Sequence, residues 1–195
     1  NFALWYRAAR GSRFKLAQDE ELRAYAGIIV VASAVLAVLL LSDGLAAGAL
    51  LRQTAKIDPQ CIFVLGHSLG GMLLPRIGSA DNNITGLISL AGLTRPMEDT
   101  ILEQYTYLAN QDGEVPEAEQ GVLDQVAAQV ARVKDPQLSA DVPPTDLPLG
   151  IPASYWLDLR GYEPGVVARG IGVPVLLVQG GRDYQVPPSE LALWR

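Results

Sequence analysis

Three short runs of apolar residues divide the chain, and stretches with helical character lie between them. The runs cover residues 61–65, 86–91 and 174–179, and none of them contains a charged residue. Short continuous apolar runs are typical of parallel strands that are covered on both faces. Helical patterns at 70–79 and 164–169 accompany these strands. The order of strands and helices predicts an α/β fold, with a mostly parallel sheet flanked by helices.

A long helical region separates the second and third predicted strands. Apolar residues with helical spacing predict helices over 96–110 and 116–134, because they recur every three to four positions. A proline-rich loop at 135–152 and a short aromatic helix at 155–159 follow them. The region is therefore a helical insertion between the second and third predicted strands.

The N-terminal segment, residues 1–42, differs from the rest of the chain. Its stretch 24–41 contains no charged residue. A bilayer-spanning helix needs about 20 apolar residues, so this stretch has a borderline length. It is either a membrane helix or a buried element of an α/β core, while a secretory signal fits less well because no cleavage site clearly follows. From Ser42 or Asp43 a helix is predicted to about Lys56.

The composition excludes several function classes. A hydrophobic content of 49% excludes a disordered chain, and a net charge of −6 argues against nucleic acid as a partner. One cysteine, Cys61, and one histidine, His67, cannot form a disulfide framework or a multi-ligand zinc site. We interpret Cys61 as an inert core residue. No metal or organic cofactor is implied. The cellular location of the protein stays open: it is cytoplasmic by default, or it is anchored to a membrane through residues 24–41.

The motif with the clearest chemical meaning is Gly66-His67-Ser68-Leu69-Gly70-Gly71, at the turn between a predicted strand and a predicted helix. A serine with glycines two residues away on each side is typical of a nucleophile elbow. Such a turn strains the serine backbone, and we expect the glycines at 66 and 70 to prevent collisions. Ser68 would then lie at a helix N-terminus, with the Leu69 N–H able to bind an oxyanion. An inert serine in a glycine-rich turn is the alternative.

The segment GHSLGG, together with the later VLLVQGGRDYQVP, resembles the α/β-hydrolase superfamily. More narrowly, residues 43–194 are similar to bacterial serine esterases related to dienelactone hydrolases and to prolyl-oligopeptidase-type catalytic domains. The resemblance implies a partial α/β-hydrolase fold over 43–195, with a lid-like helical insertion at about 94–162. It also implies a serine hydrolase that cleaves carboxylic esters, or amides or peptides, through an acyl-enzyme. The partner would be a small-molecule ester or peptide-like substrate.

The same resemblance assigns roles to individual residues. Ser68 would be the nucleophile, Leu69 an oxyanion-hole donor and Asp183 the acid that orients a histidine. Asp183 also follows a predicted strand, where open α/β sheets place their sites, although it could be an ordinary turn aspartate. No histidine follows Asp183 in this chain, and we expect His67 to pack beside the sheet. We therefore expect an incomplete hydrolase domain, nearly inactive as given.

Residues of the predicted lid are candidates for a substrate pocket. We single out Met97, Tyr155 and Trp156, which could equally pack the lid against the rest of the domain. Two other functions remain open. One is a non-catalytic binding protein with the same fold, with or without a membrane anchor. The other is an acyltransferase or haloperoxidase-like enzyme with the same triad. The sequence leaves the oligomeric state undetermined.

Overall fold

The computed structural model describes residues 41–195. In chain order the elements are α1 (41–53), β1 (Phe63–His67), α2 (Leu69–Ala80), β2 (Gly86–Leu90), α3 (Met97–Ala109), α4 (Glu117–Lys134), α5 (Ala153–Leu159), α6 (Pro164–Gly170), β3 (Val175–Val178) and α7 (Glu190–Leu193). Two 3₁₀ turns, Pro144–Asp146 and Pro148–Gly150, lie between α4 and α5. The helices and strands predicted for this part of the chain are present, with bounds shifted by a few residues.

The three strands form one parallel sheet in the order β1-β2-β3. His67 of β1 is opposite Leu90 of β2, and Leu90 is opposite Val178 of β3. The carboxyl ends of all three strands therefore lie at one edge of the sheet. The serine turn after β1 and the Asp183 loop after β3 both begin at this edge. The prediction of a parallel α/β fold is confirmed.

Helix α2 lies at the centre of the described structure. One cluster of buried residues joins it to the sheet, formed by Leu74, Ile77, Ile84 and Leu87. A larger cluster joins Met72 and Leu73 of α2 to the helices between β2 and β3. Its other members include Ile101, Val126, Val130, Val133, Tyr155, Trp156 and Leu159. The helical insertion is therefore packed on the same helix that follows Ser68.

Helix α1 is fixed to α2 by an ion pair. Arg52 Nη2 donates to Asp81 Oδ2 over 2.7 Å, and the Asp81 side chain is only 8% exposed. Burial by itself would raise the pKa of Asp81. The backbone N–H of Asn83 and the Arg52 guanidinium outweigh burial, so the pKa of Asp81 lies below its ordinary value. The carboxylate is therefore charged in the folded protein at neutral pH.

One face of the sheet is uncovered in the part of the chain that the structure describes. Phe63 and Leu65 of β1 are 55% and 57% exposed, and Leu176 and Val178 of β3 are 57% and 46% exposed. The prediction that these strands are covered on both faces is wrong here, because α2 covers only the opposite face. Cys61 is exposed, so its assignment to the core is also wrong. An apolar run indicates a strand but not which of its faces is packed.

No helix within residues 41–195 is both long and apolar enough to cross a membrane. Apart from Leu41, the apolar stretch 24–41 lies outside the described residues. Its two interpretations, membrane helix and buried core element, therefore stay predictions.

Candidate active site

Ser68 occupies the sharp turn between the end of β1 and the first residue of α2. Its backbone has φ 55° and ψ −117°. A positive φ is rare for a residue with a side chain and is associated with strain at functional sites. The turn is fixed on both sides, because the Ser68 N–H donates to Leu90 O over 2.9 Å and the Ser68 carbonyl accepts from the Met72 N–H over 3.0 Å. The strained conformation expected from the sequence motif is present at this serine.

The glycines around Ser68 differ in how tightly they are packed. A Cβ at Gly66 would lie 2.4 Å from the carbonyl carbon and oxygen of Gly70, so position 66 has no room for a side chain. A Cβ at Gly70 would meet nothing within 4 Å, and the expected collision is not found there. Instead, a Cβ at Gly71 would lie 2.7 Å from Ser89 Oγ and 2.8 Å from Gly92 Cα. The turn thus requires Gly66, and Gly71 lets α2 approach the end of β2.

Leu69 is the first residue of α2. Its N–H has no acceptor inside the helix, because the first four N–H groups of any α-helix lack one. The first turn of α2 contains no acidic side chain. The helix dipole at this end therefore favours negative charge, as an oxyanion beside Ser68 would require.

Asp183 lies in the loop that follows β3, where its carboxylate organises the backbone. Oδ1 accepts hydrogen bonds from the N–H groups of Gln185 at 2.9 Å and Val186 at 3.1 Å. The Gln179 side chain donates to the carbonyl of Val186 from the end of β3. Within residues 41–195, Oδ2 of Asp183 accepts no hydrogen bond. One carboxylate oxygen thus fixes the loop, and the other remains able to accept a hydrogen bond.

Ser68 and Asp183 lie at the same edge of the sheet with β2 between them. Adjacent strands are about 4.8 Å apart, so the ends of β1 and β3 are separated by roughly 10 Å. A histidine of a catalytic triad would lie between these strand ends, where its imidazole would accept from the serine and donate to the carboxylate. His67 cannot be that imidazole, since it ends β1 on the uncovered face beside Leu65. It is exposed, so the expectation that it packs beside the sheet is wrong.

A cavity of about 660 Å³ lies between α2, the insertion and α6. Met97 and Trp156 line it together with Met72, and Ser68 and Asp183 are not among its lining residues. Tyr155 is buried next to this cavity, and its hydroxyl contacts Met97 Sδ at 3.4 Å. The structure therefore brings the three candidate pocket residues together at a cavity that is also lined by Met72, one helical turn after Ser68 on α2.

A buried carboxylate that no sequence pattern predicted holds the segment that follows β2. Glu190 is fully buried and accepts from the Thr94 N–H at 2.8 Å, from the Thr94 hydroxyl and from Arg95. Arg95 also binds Glu103 with two nitrogens, and its hydrogen bonds lower the pKa of Glu103. Glu190 precedes the chain end by a few residues and resembles an ordinary surface residue in the sequence. No local pattern shows that it contacts a segment 96 positions earlier.

No group of three or more His, Cys, Asp or Glu side chains that could hold a metal ion is found between residues 41 and 195.

Comparison with known proteins identifies the family of the chain. The chain is 32% identical over 154 residues to Esterase EstD from Thermotoga maritima, and the match covers 79% of the chain. The chain belongs to the α/β-hydrolase superfamily. It spans about a third of the length of this relative, the match covering 34% of it. Acetyl xylan esterase 1 from Thermoanaerobacterium sp. JW/SL YS485 is a more remote likeness, with 18% identity and a TM-score of 0.41 over 79% of this chain and 40% of that one. No family model matches the chain.

Proposed function

We propose that this α/β-hydrolase chain carries the nucleophile and the acid of a serine esterase that hydrolyses carboxylic esters of small molecules. The strained backbone of Ser68, at the junction of a parallel strand and a helix, carries this proposal. A residue with a side chain keeps such a conformation only where the surrounding structure enforces it. Similarity to Esterase EstD supports the choice of an ester as substrate.

In the proposed reaction Ser68 Oγ attacks the ester carbonyl and forms a tetrahedral oxyanion. The Leu69 N–H at the start of α2 donates to that oxyanion, and the helix dipole stabilises its charge. Collapse of the intermediate expels the alcohol and leaves an acyl-serine, which water then hydrolyses. A second oxyanion donor is not identified among the described residues.

The proton of Ser68 requires a general base. A histidine between Ser68 and the free Oδ2 of Asp183 would accept it and return it to the leaving group. His67 lies on the uncovered face of the sheet, so it does not supply this base. Without the imidazole, a serine hydrolase retains only roughly 10³–10⁴-fold catalysis over water. Residues 1–195 by themselves are therefore nearly inactive in this proposal.

The helices between β2 and β3 are proposed to form a lid over this site. Their buried cluster includes Ala91 and Leu93, which follow β2, and Val186 of the Asp183 loop. These residues all lie at the carboxyl edge of the sheet. Helices anchored there can shape access to Ser68, and Met97 and Trp156 would contribute an apolar wall for the acyl or alcohol group.

Added imidazole provides a direct test, because it can replace a missing histidine side chain. Hydrolysis of p-nitrophenyl acetate by residues 1–195 should rise with imidazole concentration above the rate of imidazole alone. Ser68→Ala and Asp183→Asn should remove this increase, while Ser79→Ala, at an exposed serine of the same helix, should retain it. Equal rates in the parent chain and Ser68→Ala would contradict an esterase and would favour a binding protein.

A further inference from the structure

The loop that carries Asp183 is held by helix α3 of the insertion as well as by the sheet. Tyr107 of α3 stacks on Tyr184, with ring centroids 4.7 Å apart and an interplanar angle of 14°. Gln104, one turn earlier on α3, donates from Nε2 to the carbonyl of Gln185 over 3.0 Å. Residues three apart share one face of a helix, so both side chains reach the loop from the same side.

These contacts fall on the two residues directly after Asp183. The N–H of Gln185 is itself one of the two donors to Asp183 Oδ1. Gln185 is thus bound at its carbonyl by α3 and at its N–H by the carboxylate. Tyr184 lies between Asp183 and Gln185 in the chain. The pKa of its phenol is raised first by burial and then by the nearby Tyr107 and Asp183. A displacement of α3 would therefore pull on Tyr184 and Gln185, and the N–H of Gln185 is one of the two donors that set the direction of the carboxylate.

We propose that Tyr107 and Gln104 are positioning residues, which couple the helical insertion to the orientation of Asp183. The inference rests on the proposed function only in that Asp183 acts as the acid. When α3 is in place, the stack and the amide bond hold the loop so that Oδ1 stays on its two backbone donors and Oδ2 faces the histidine position. When α3 moves away, the loop loses two of its supports and the carboxylate loses its fixed direction.

The test measures hydrogen exchange of the Gln185 and Val186 amides by NMR in residues 1–195, which needs no catalytic activity. An aromatic stack of this kind changes an equilibrium by about two- to twelvefold. Tyr107→Ala should therefore speed exchange at these two amides by such a factor. Tyr107→Phe keeps the ring and should restore the original rates. Gln104→Glu replaces the donor by an acceptor and should speed exchange at the same two amides.

Two controls make the outcome specific. Val122→Ala truncates another insertion side chain that is 46% exposed, as Tyr107 is, and should leave both amides unchanged. The Leu87 and Ala91 amides, which bond to Pro174 and Val178 in the sheet, report any general loss of stability. Unchanged exchange at Gln185 and Val186, an equal rise at the sheet amides, or a failure of Tyr107→Phe to restore the rates would each overturn the coupling. None of these outcomes depends on esterase activity, so they are separable from the imidazole test.

Discussion

Replacing Ser68 by glycine should make the protein more stable, although it removes the proposed nucleophile. A residue held in a sparsely populated backbone conformation costs about 1–3 kcal/mol, and Ser68 has φ 55° and ψ −117°. Glycine adopts such angles without that cost. It also adds conformational freedom to the unfolded chain, which subtracts about 0.4–1 kcal/mol. The net expectation is a gain of about 0–2.6 kcal/mol in the free energy of unfolding.

Urea unfolding followed by tryptophan fluorescence measures this gain, because Trp156 and Trp194 are both buried in the fold. The matched control is Ser79→Gly, which makes the same change at an exposed serine near the end of α2. Glycine in a helix is about 0.5–1 kcal/mol less favourable than alanine, and serine lies between the two, so this substitution should destabilise the protein by about 0.5 kcal/mol. If Ser68→Gly lowers stability by as much as Ser79→Gly, the turn stores no strain and the argument for an elbow fails.

Three further substitutions test the turn and the α1–α2 contact. Gly66→Ala should lower the free energy of unfolding in urea by about 3 kcal/mol or more, because its Cβ would lie 2.4 Å from the backbone of Gly70. A Cβ at Gly70 has open space, so Gly70→Ala should be neutral or slightly stabilising. Similar effects at both positions would refute the steric argument. The pKa of Asp81 is lowered from 3.8 on folding, so the stability from its contacts is present above this pH and is lost as the pH falls through the folded pKa. The stability of the parent chain should therefore drop more between pH 6 and pH 3 than that of Asp81→Asn, and equal drops would count against the ion pair with Arg52.

Much of the fold follows from local patterns in the sequence. Short apolar runs identify the strands and spaced apolar residues identify α3 and α4, because these periodicities reflect the geometry of single elements. The strained turn at Ser68 is equally local, since glycine at 66 and serine at 68 lie within one motif. The position of Asp183 after a predicted strand also follows from the chain order in a parallel sheet.

What the sequence could not predict depends on contacts between distant segments. The buried Glu190 binds Thr94 and Arg95, which are more than 90 positions earlier in the chain. The Asp183 loop is supported by Tyr107, which is also far from it in the sequence. The requirement for Gly71 instead of Gly70 depends on how closely α2 approaches Ser89. The uncovered face of β1 and β3 depends on which elements pack against the sheet. None of these features leaves a periodic pattern in the sequence.

The sheet face that no element within residues 41–195 covers has a practical consequence for handling the protein. Phe63, Leu65, Leu176 and Val178 together present four large apolar side chains to solvent. Salts that are excluded from protein surfaces, such as ammonium sulfate, strengthen association between such surfaces. Salting-out steps should therefore drive molecules together through this face, whereas a mild non-ionic detergent should keep them dispersed at the concentrations that NMR requires.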